Sequence, residues 1–271
     1  MECLVEVANT AANAPVYTSR IIKASALLPD TRTLFAYWNP DLSARENLAL
    51  VRSQNLLGKP SRSRIEDILA IFRQRYLDDL DVANALAVLV QAGMSNSITD
   101  PIFYYYAAQS DRLLHDVVVE LLVPLQWRGH EQVTKAEIRS GIRNWVAGGM
   151  TTTAWNEPTI TRVAEGVMAT LRDFGVLSGT HKKALAPIYL PIEAFVFISF
   201  DLAKRGFHGD RLLHSQEWQL FFLHPGVVER FFAEAHQQHL LQYHAAGSVI
   251  RVDFPADSLK EYARALAQTA H

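Results

Sequence analysis

The segment of residues 134–190 constrains the fold most, because it encodes two helices and a hairpin in close succession. A first helix is predicted to begin at Thr134, since Thr134 and Glu137 have the capping-box spacing in which each side chain bonds the other's backbone N–H. Apolar residues follow at helical spacing, which predicts one buried face. The pair Gly148-Gly149 is predicted to end this helix, because glycine accepts the left-handed backbone that closes a helix.

A second helix is predicted to begin at Asn156, where a capping residue precedes an acid and a proline. Its apolar residues form one stripe that ends at Gly175. Two short strands, residues 176–177 and 188–190, are then predicted around a basic tip of residues 178–183. The order helix, turn, helix and basic hairpin predicts a winged helix-turn-helix.

Polar residues outside the apolar stripes of this segment are candidates for contacts with DNA. Hydroxyl groups and cations at helix starts can contact phosphates and base edges in a major groove. The candidate DNA contacts here are Lys135, Arg139, Arg143, Thr159, Thr161, Arg162, Arg172, Lys182 and Lys183. Glu157 and Glu165 on the second helix, and the long turn before it, leave a protein-docking winged helix as the alternative.

A second basic segment lies in residues 58–76, where a Gly-Lys-Pro turn leads into a serine- and arginine-rich helix start. Ser63 and Glu66 have the capping-box spacing. The apolar stripe leaves Arg62, Arg64, Arg73 and Arg75 nearer to solvent. Backbone N–H groups and cations at such a helix start can bind phosphate. The candidate contacts are Lys59, Ser61, Arg62, Arg64 and Arg73, and the alternative is a solvated helix whose arginines pair with nearby aspartates.

The charge distribution is uneven although the net charge is only −2. Residues 45–76 hold seven bases and three acids, and residues 128–190 hold eight bases and five acids. Between them, residues 77–127 hold one base and seven acids. Two basic segments can form one localised surface for an acidic partner if the fold brings them together. Random scatter of charges is the alternative.

The composition indicates an ordinary globular chain of 271 residues, 49% apolar and 20% charged. The lone Cys3 excludes an internal disulfide and multi-cysteine zinc sites, and it is typical of a reducing cytoplasm. Residues 188–200 are too short an apolar run to cross a membrane. We therefore expect a cytoplasmic protein without a membrane partner.

We find no sequence motif for catalysis or for a cofactor. Nucleotide-binding loops, zinc-protease motifs and nucleophile elbows do not occur in the sequence. His236 and His239 are three residues apart near Glu229 and Glu234, but surface histidines explain them better than a metal site. We expect no enzymatic activity, no cofactor and no metal, with a carboxylate-based metal nuclease as the remaining alternative.

The expected architecture is mainly α-helical and has four parts. Residues 1–16 are predicted to be a flexible leader and residues 17–130 an N-terminal helical bundle. Residues 131–190 form the winged helix-turn-helix, and residues 191–271 a small C-terminal α+β module.

Several elements of this architecture are predicted individually. In the bundle, helices are predicted over residues 19–28 and from a cap at Asp100-Pro101, and the tyrosines of residues 104–106 are expected to pack between helices. A hairpin is predicted from residues 240–244 and 248–254, because their alternating strands flank Ala-Ala-Gly.

Several motifs together resemble the BrxA family. The most specific is residues 55–64, Asn-Leu-Leu-Gly-Lys-Pro-Ser-Arg-Ser-Arg, followed by Arg-Tyr-Leu at 75–77. Residues 26–32, 159–164 and 171–177 are also similar to that family. BrxA proteins belong to BREX phage-exclusion loci, and the resemblance implies a small accessory subunit that binds double-stranded DNA and has no enzymatic activity. It carries over no catalytic residues.

Together these observations predict a non-enzymatic DNA-binding accessory subunit of a BREX-type phage-defence system. Its partners would be double-stranded DNA, bound mainly through Arg and Lys contacts to phosphate, and other BREX subunits. The alternative is a protein–protein adaptor within the defence complex that does not contact DNA.

Overall fold

The fold was obtained as a computed structural model, which describes residues 16–23, 25–179, 183–186, 189–247 and 249–269. It is mainly helical, as the sequence predicts, with two small antiparallel sheets in the described part. The predicted leader lies almost wholly in residues 1–15, outside the described residues. Among the described residues, no helix combines the length and apolarity needed to cross a membrane.

The first part of the chain is a bundle of helices that follows a 3₁₀ turn at Ser19–Ile22. Its helices are α1 (Leu28–Ala36), α2 (Ala44–Ser53), α3 (Arg62–Tyr76), α4 (Leu80–Gln91), α5 (Asn96–Ser110), α6 (Arg112–Asp116) and α7 (Val123–Trp127). A π-helical turn at Val117–Leu122 joins α6 to α7.

Next comes a unit of two helices and three short strands, which we call the central unit. It consists of β1 (Gln132–Val133), α8 (Lys135–Ala147), α9 (Glu157–Asp173), β2 (Leu177–Ser178) and β3 (Lys183–Leu185). β3 lies between β1 and β2 and is antiparallel to both. The first strand of the sheet therefore lies before the helix pair and the other two strands after it.

The remaining elements surround a hairpin. They are α10 (Ile192–Lys204), α11 (Asp210–Leu213), a 3₁₀ turn (Gln216–Phe221), α12 (Pro225–Gln237), β4 (Gln242–Ala246), β5 (Val249–Asp253) and α13 (Leu259–Thr269). The antiparallel pairing of β4 with β5 confirms the predicted hairpin. α13 packs against α4, and the Asp81 carboxylate accepts hydrogen bonds from the Leu259 and Lys260 N–H groups.

Local capping signals set most helix starts. Thr134 and Glu137 form the predicted capping box, and the Asn156 side chain accepts from the Thr159 N–H. The prediction for α3 is wrong by two residues, because Ser61 and not Ser63 is the N-cap and its hydroxyl accepts from the Arg64 N–H. Either serine can serve as a cap, and the Pro60 turn places the earlier one at the helix start.

Three other predicted elements differ from the structure. Within residues 19–28, the described residues form one 3₁₀ turn at Ser19–Ile22, and Leu28 is already the first residue of α1. Pro101 lies inside α5, which begins five residues earlier at Asn96. Its strong packing outweighs the one backbone hydrogen bond that proline removes.

The second strand of the central hairpin is Lys183–Leu185 and not residues 188–190, of which Ile188 lies outside the described residues. It pairs with β1, a two-residue strand that the sequence analysis missed. That partner fixes the strand position.

The core connects all parts of the described chain, and α5 is at its centre. Tyr104, Tyr105 and Tyr106 are all buried, as the packing interpretation predicted. The Tyr105 hydroxyl donates to Oδ2 of Asp201 on α10 at 2.7 Å, and the Tyr106 hydroxyl donates to Oδ1 at 3.0 Å. Nε of Arg205 lies 2.7 Å from the same carboxylate. This polar cluster joins the bundle to the C-terminal elements.

Two glycines let the central unit approach the bundle closely. A Cβ atom at Gly141 of α8 would lie 2.5 Å from the Leu121 side chain, and one at Gly166 of α9 would lie 2.9 Å from the Ile21 carbonyl oxygen. The second contact involves residues 17–23, which we call the strap. Its Tyr17 forms a bridge with Thr151 in the turn between α8 and α9. The strap therefore holds the central unit against the bundle.

Candidate nucleic-acid interface

The cations of α8 form a row that faces α9. Lys135, Arg139 and Arg143 are four residues apart, so they share one side of the helix. Nζ of Lys135 lies 2.8 Å from Glu165, and Arg143 donates to both oxygens of Glu157 at 2.7 and 2.8 Å. Two predicted DNA contacts are thus held by the acids of α9.

Arg139 and Arg162 differ from these two. Within the described part of the chain, neither guanidinium group forms an ion pair or hydrogen bond. Arg162 is exposed on α9 and Arg139 is half-buried between the paired cations of its row. Both are thus available to an anionic partner.

The other predicted contacts on α9 have local partners. The Thr159 hydroxyl donates to the Asn156 side chain at 2.8 Å as part of the helix cap. Thr161 is half-buried. Arg172 donates to the neighbouring Asp173 at 2.7 Å. Thr159 and Arg172 therefore already have hydrogen-bond partners within the protein. Arg172 is exposed, so a phosphate can replace Asp173 as its partner.

The predicted basic tip of the hairpin is not as expected. Lys182 lies outside the described residues. Lys183 is in β3, 9% exposed, and its amino group donates to the Gly179 carbonyl at 2.6 Å. Desolvation and the charge of Arg172 lower the pKa of this amino group. Lys183 therefore closes the hairpin.

At the start of α3, the structure separates structural residues from exposed ones. Nζ of Lys59 lies 2.7 Å from Asp30 and is largely covered, and the Ser61 hydroxyl caps the helix. Arg62 is exposed and Arg64 is half-exposed, and neither has an ion-pair partner among the residues that the structure describes. The two arginines are thus the accessible cations here.

Further along α3, Arg73 and Arg75 have opposite environments. Arg73 is exposed without an ion-pair partner in the described ranges. Arg75 was expected near solvent, and this is wrong. It is 8% exposed and donates to the Ala26 and Ser25 carbonyls at 3.0 and 2.9 Å. Its guanidinium also lies over the Phe174 ring at 5.9 Å, so it ties α3 to the end of α9.

The strap supplies two cations that the sequence analysis missed. Arg20 and Lys23 are exposed and, with Arg73, line an open pocket of about 600 Å³ beside α3. The carboxylates of Asp67, Asp78 and Asp111 line the same pocket. The contacts of the two strap cations are weak: Arg20 donates to Gln74 at 3.4 Å, and Lys23 lies 3.8 Å from Asp67. The only sequence signal was two bases three residues apart in a short helical stretch.

The strap also connects the two basic segments in space. It touches α9 at Gly166, and Arg162 lies one helical turn before Gly166 on the same side. On its other side, the strap contacts α3 through Gln74 and Asp67. Exposed cations of α9, the strap and α3 therefore lie on adjoining parts of the surface.

A buried polar cluster anchors the strap. The Tyr17 hydroxyl donates to Asp116 at 2.8 Å, and the same carboxylate lies 2.8 Å from Nδ1 of His115. Nε2 of His115 is 3.5 Å from Glu217. Burial by itself would lower the pKa of His115, but the hydrogen bond to Asp116 and the charges of Asp116 and Glu217 outweigh it and raise the pKa to about 9.

This raised pKa predicts a pH-dependent stability. The charged form of His115 stabilises the fold fully below the unfolded-state pKa of 6.5, and this contribution is lost as pH rises through about 9. We expect the wild-type protein to lose on the order of 3 kcal/mol more than a His115→Gln variant between these limits. Urea unfolding at several pH values measures it. A His208→Gln variant, changed at an exposed histidine, is the control and should give the wild-type profile. Parallel profiles for wild type and His115→Gln would contradict the assignment.

Three of the C-terminal histidines lie along one pocket. His236 and His244 approach with ring centroids 5.6 Å apart beside His239. Within the described ranges, no three or more His, Cys, Asp or Glu residues are arranged to hold a metal ion.

Comparison with known proteins identifies the family. The chain is a mainly helical protein with exposed cations around its central unit. The BrxA family model matches residues 15–201, more than half of the chain, and the chain belongs to the BrxA family. This confirms the resemblance seen in the sequence, and membership points to involvement in BREX phage defence.

A solved structure supports the fold alone. The crystal structure of an uncharacterized protein from Magnetospirillum magneticum matches with a TM-score of 0.58 at 14% identity. The match covers 74% of this chain and 98% of that one. No curated protein matches the sequence.

Proposed function

We propose that the protein is a non-enzymatic accessory subunit of a BREX phage-defence system that binds double-stranded DNA. In this proposal the central unit is a winged helix-turn-helix with α9 as its recognition helix. The strand before the helix pair, the two strands after it and the sheet order β1-β3-β2 support this interpretation. Such units place their second helix in the major groove.

The observation that carries the proposal is the strap between α9 and α3. It brings Arg162, Arg20, Lys23 and Arg73 to adjoining surfaces, and these side chains have at most weak partners among the described residues. Cations without strong internal partners can contact phosphate without first breaking an ion pair. Arg62 and Arg64 extend this surface along α3.

Such a surface reads shape and charge more than sequence. Phosphate contacts position a protein on a duplex and carry no sequence information directly. We therefore expect sequence-tolerant binding, in which the half-buried Thr161 and the exposed Arg162 of α9 are the groups closest to base edges.

The test is the salt dependence of duplex binding. Six phosphate contacts predict that the Kd for a labelled duplex rises roughly a thousandfold between 50 and 200 mM salt. Fluorescence anisotropy measures this Kd, with a single strand of the same length for comparison. Absence of binding at the lowest salt concentration, or a Kd that does not change with salt, would overturn the proposal.

Exposed aromatic side chains favour a second candidate, a protein–protein adaptor in the same system. Trp127, before β1, is 58% exposed, and Tyr189, after β3, is 79% exposed. Aromatic residues are enriched at protein interfaces. Co-purification with other BREX subunits that persists in high salt, without any shift of duplex DNA, would favour this candidate over DNA binding.

A further inference from the structure

The α8 cation row, Lys135, Arg139 and Arg143, faces a matching row on α9. Glu157, Thr161 and Glu165 are also four residues apart, and the two ion pairs show that the rows run in opposite directions. Arg139 thus lies opposite the neutral Thr161. The α9 glutamates, Glu157 and Glu165, hold the two outer cations. The central cation forms no ion pair or hydrogen bond with the described residues, although its charge contributes to lowering the pKa of Glu157.

The two ion pairs differ in strength. Arg143 and Glu157 form two parallel hydrogen bonds, the geometry in which arginine binds a carboxylate or a phosphate. Those hydrogen bonds lower the pKa of the Glu157 carboxyl. Lys135 reaches Glu165 through a single contact. All four side chains are about half exposed, so solvent and a polyanion can both reach them.

These contacts give Glu157 and Glu165 a role on α9, the helix that the proposed function places in the major groove. A carboxylate that binds arginine through two oxygens presents the same geometry as a backbone phosphate. Exposed ion pairs are weak because water and salt screen them. An incoming phosphate can therefore replace the glutamate, although the displaced carboxylate then faces the duplex.

We propose that Glu157 and Glu165 are intramolecular substitutes for phosphate that occupy Arg143 and Lys135 in the free protein and lower its affinity for every duplex. This inference rests on the proposed DNA-binding function. The glutamates neutralise part of the cation row, in which Arg139 is the member without an ion-pair partner among the described residues. In the free protein, the other exposed cations must then supply most of the affinity for duplex DNA.

The test is a set of glutamine substitutions in the full chain. We expect Glu157→Gln to lower the Kd for a duplex on the order of fivefold, the share of one phosphate contact in non-specific binding. Glu165→Gln should have a smaller effect, because it frees a cation held by one contact. Glu229→Gln removes the same charge at an exposed site on α12, outside the two rows, and should leave the Kd unchanged.

A double-mutant cycle with Arg143→Gln separates release of the cation from simple loss of negative charge. If Glu157 acts by occupying Arg143, the gain from Glu157→Gln should vanish when Arg143 is already replaced. An equal gain in both backgrounds overturns the inference. So does a Glu157→Gln variant that binds duplex no better than wild type.

The two proposals fail in different ways. If the wild-type protein binds duplex and the glutamine variants bind equally well, only the phosphate-substitute role is lost. If neither the wild type nor any variant binds duplex, the proposed function is lost and this inference with it. Glutamine variants that bind duplex more tightly than wild type support both proposals when the gain vanishes in the Arg143→Gln background.

Discussion

A variant with Arg20, Arg73 and Arg162 all changed to glutamate is expected to bind duplex DNA roughly a hundredfold more weakly or worse, because three phosphate contacts become three repulsions. The three side chains are exposed, and none forms a strong ion pair with the described residues. Their replacement therefore removes no contact on which the fold depends. Anisotropy at low salt, where the wild-type Kd is lowest, measures the loss.

The matched control reverses the charge of three exposed arginines in the C-terminal part of the chain. Arg211, Arg230 and Arg264 lie on α11, α12 and α13, and their change to glutamate alters the net charge by the same amount. This variant should keep most of its affinity, because long-range repulsion is screened beyond about 8–10 Å at physiological salt. Equal losses in both variants would show that net charge and not this surface controls binding.

The second large effect concerns stability, at Asp201. Its buried carboxylate accepts from the Tyr105 and Tyr106 hydroxyls and pairs with Arg205. We expect Asp201→Ala to lower the free energy of unfolding by about 2–4 kcal/mol, because it leaves two buried hydroxyls without their acceptor. Arg205 is partly exposed and keeps its hydrogen bond to Gln109. Urea unfolding monitored by circular dichroism measures this change.

Single substitutions test how the loss is distributed. Tyr105→Phe and Tyr106→Phe each remove one hydrogen bond to the carboxylate, so each should cost about 1 kcal/mol. Asp253→Ala removes the partner of an exposed arginine and should unfold with the wild-type midpoint. If Asp201→Ala unfolded at that same midpoint, the cluster would not be what joins α5 to α10.

The features that the sequence predicted correctly depend on near neighbours. The Thr134 and Asn156 caps place α8 and α9, because each acts within three residues of itself. Tyr104, Tyr105 and Tyr106 were predicted to pack between helices because the acidic residues around them argue against stacking on bases, and all three are buried. Local chemistry was therefore enough to locate the helices of the central unit.

The features that the sequence does not reveal depend on residues far apart in the chain. Arg75 is buried because carbonyls 49 and 50 residues earlier accept its hydrogen bonds. The two-residue β1 exists only because β3 pairs with it. Neither feature has a signal in the neighbouring sequence.

The candidate interface was predictable only in part, because the sequence shows clusters of bases but not how the fold brings them together. Clusters of bases marked α3 and the central unit, and Arg62, Arg73 and Arg162 are indeed exposed. The strap links the clusters through its contact with Gly166, and the spacing of residues in the sequence does not predict that contact. A glycine inside a helix was the one available hint, since such a glycine often marks a close approach.

The hydrogen bonds from α13 to Asp81 have a consequence for how the chain is made. The Leu259 N–H donates to Asp81, which is 178 residues earlier in the chain. The carboxylate at the start of α13 is therefore synthesised long before α13 itself. Until then the apolar side of α4 has no cover from that helix. Contacts of such long sequence separation slow folding. We expect the nascent protein to reach its native state only after translation has passed α13.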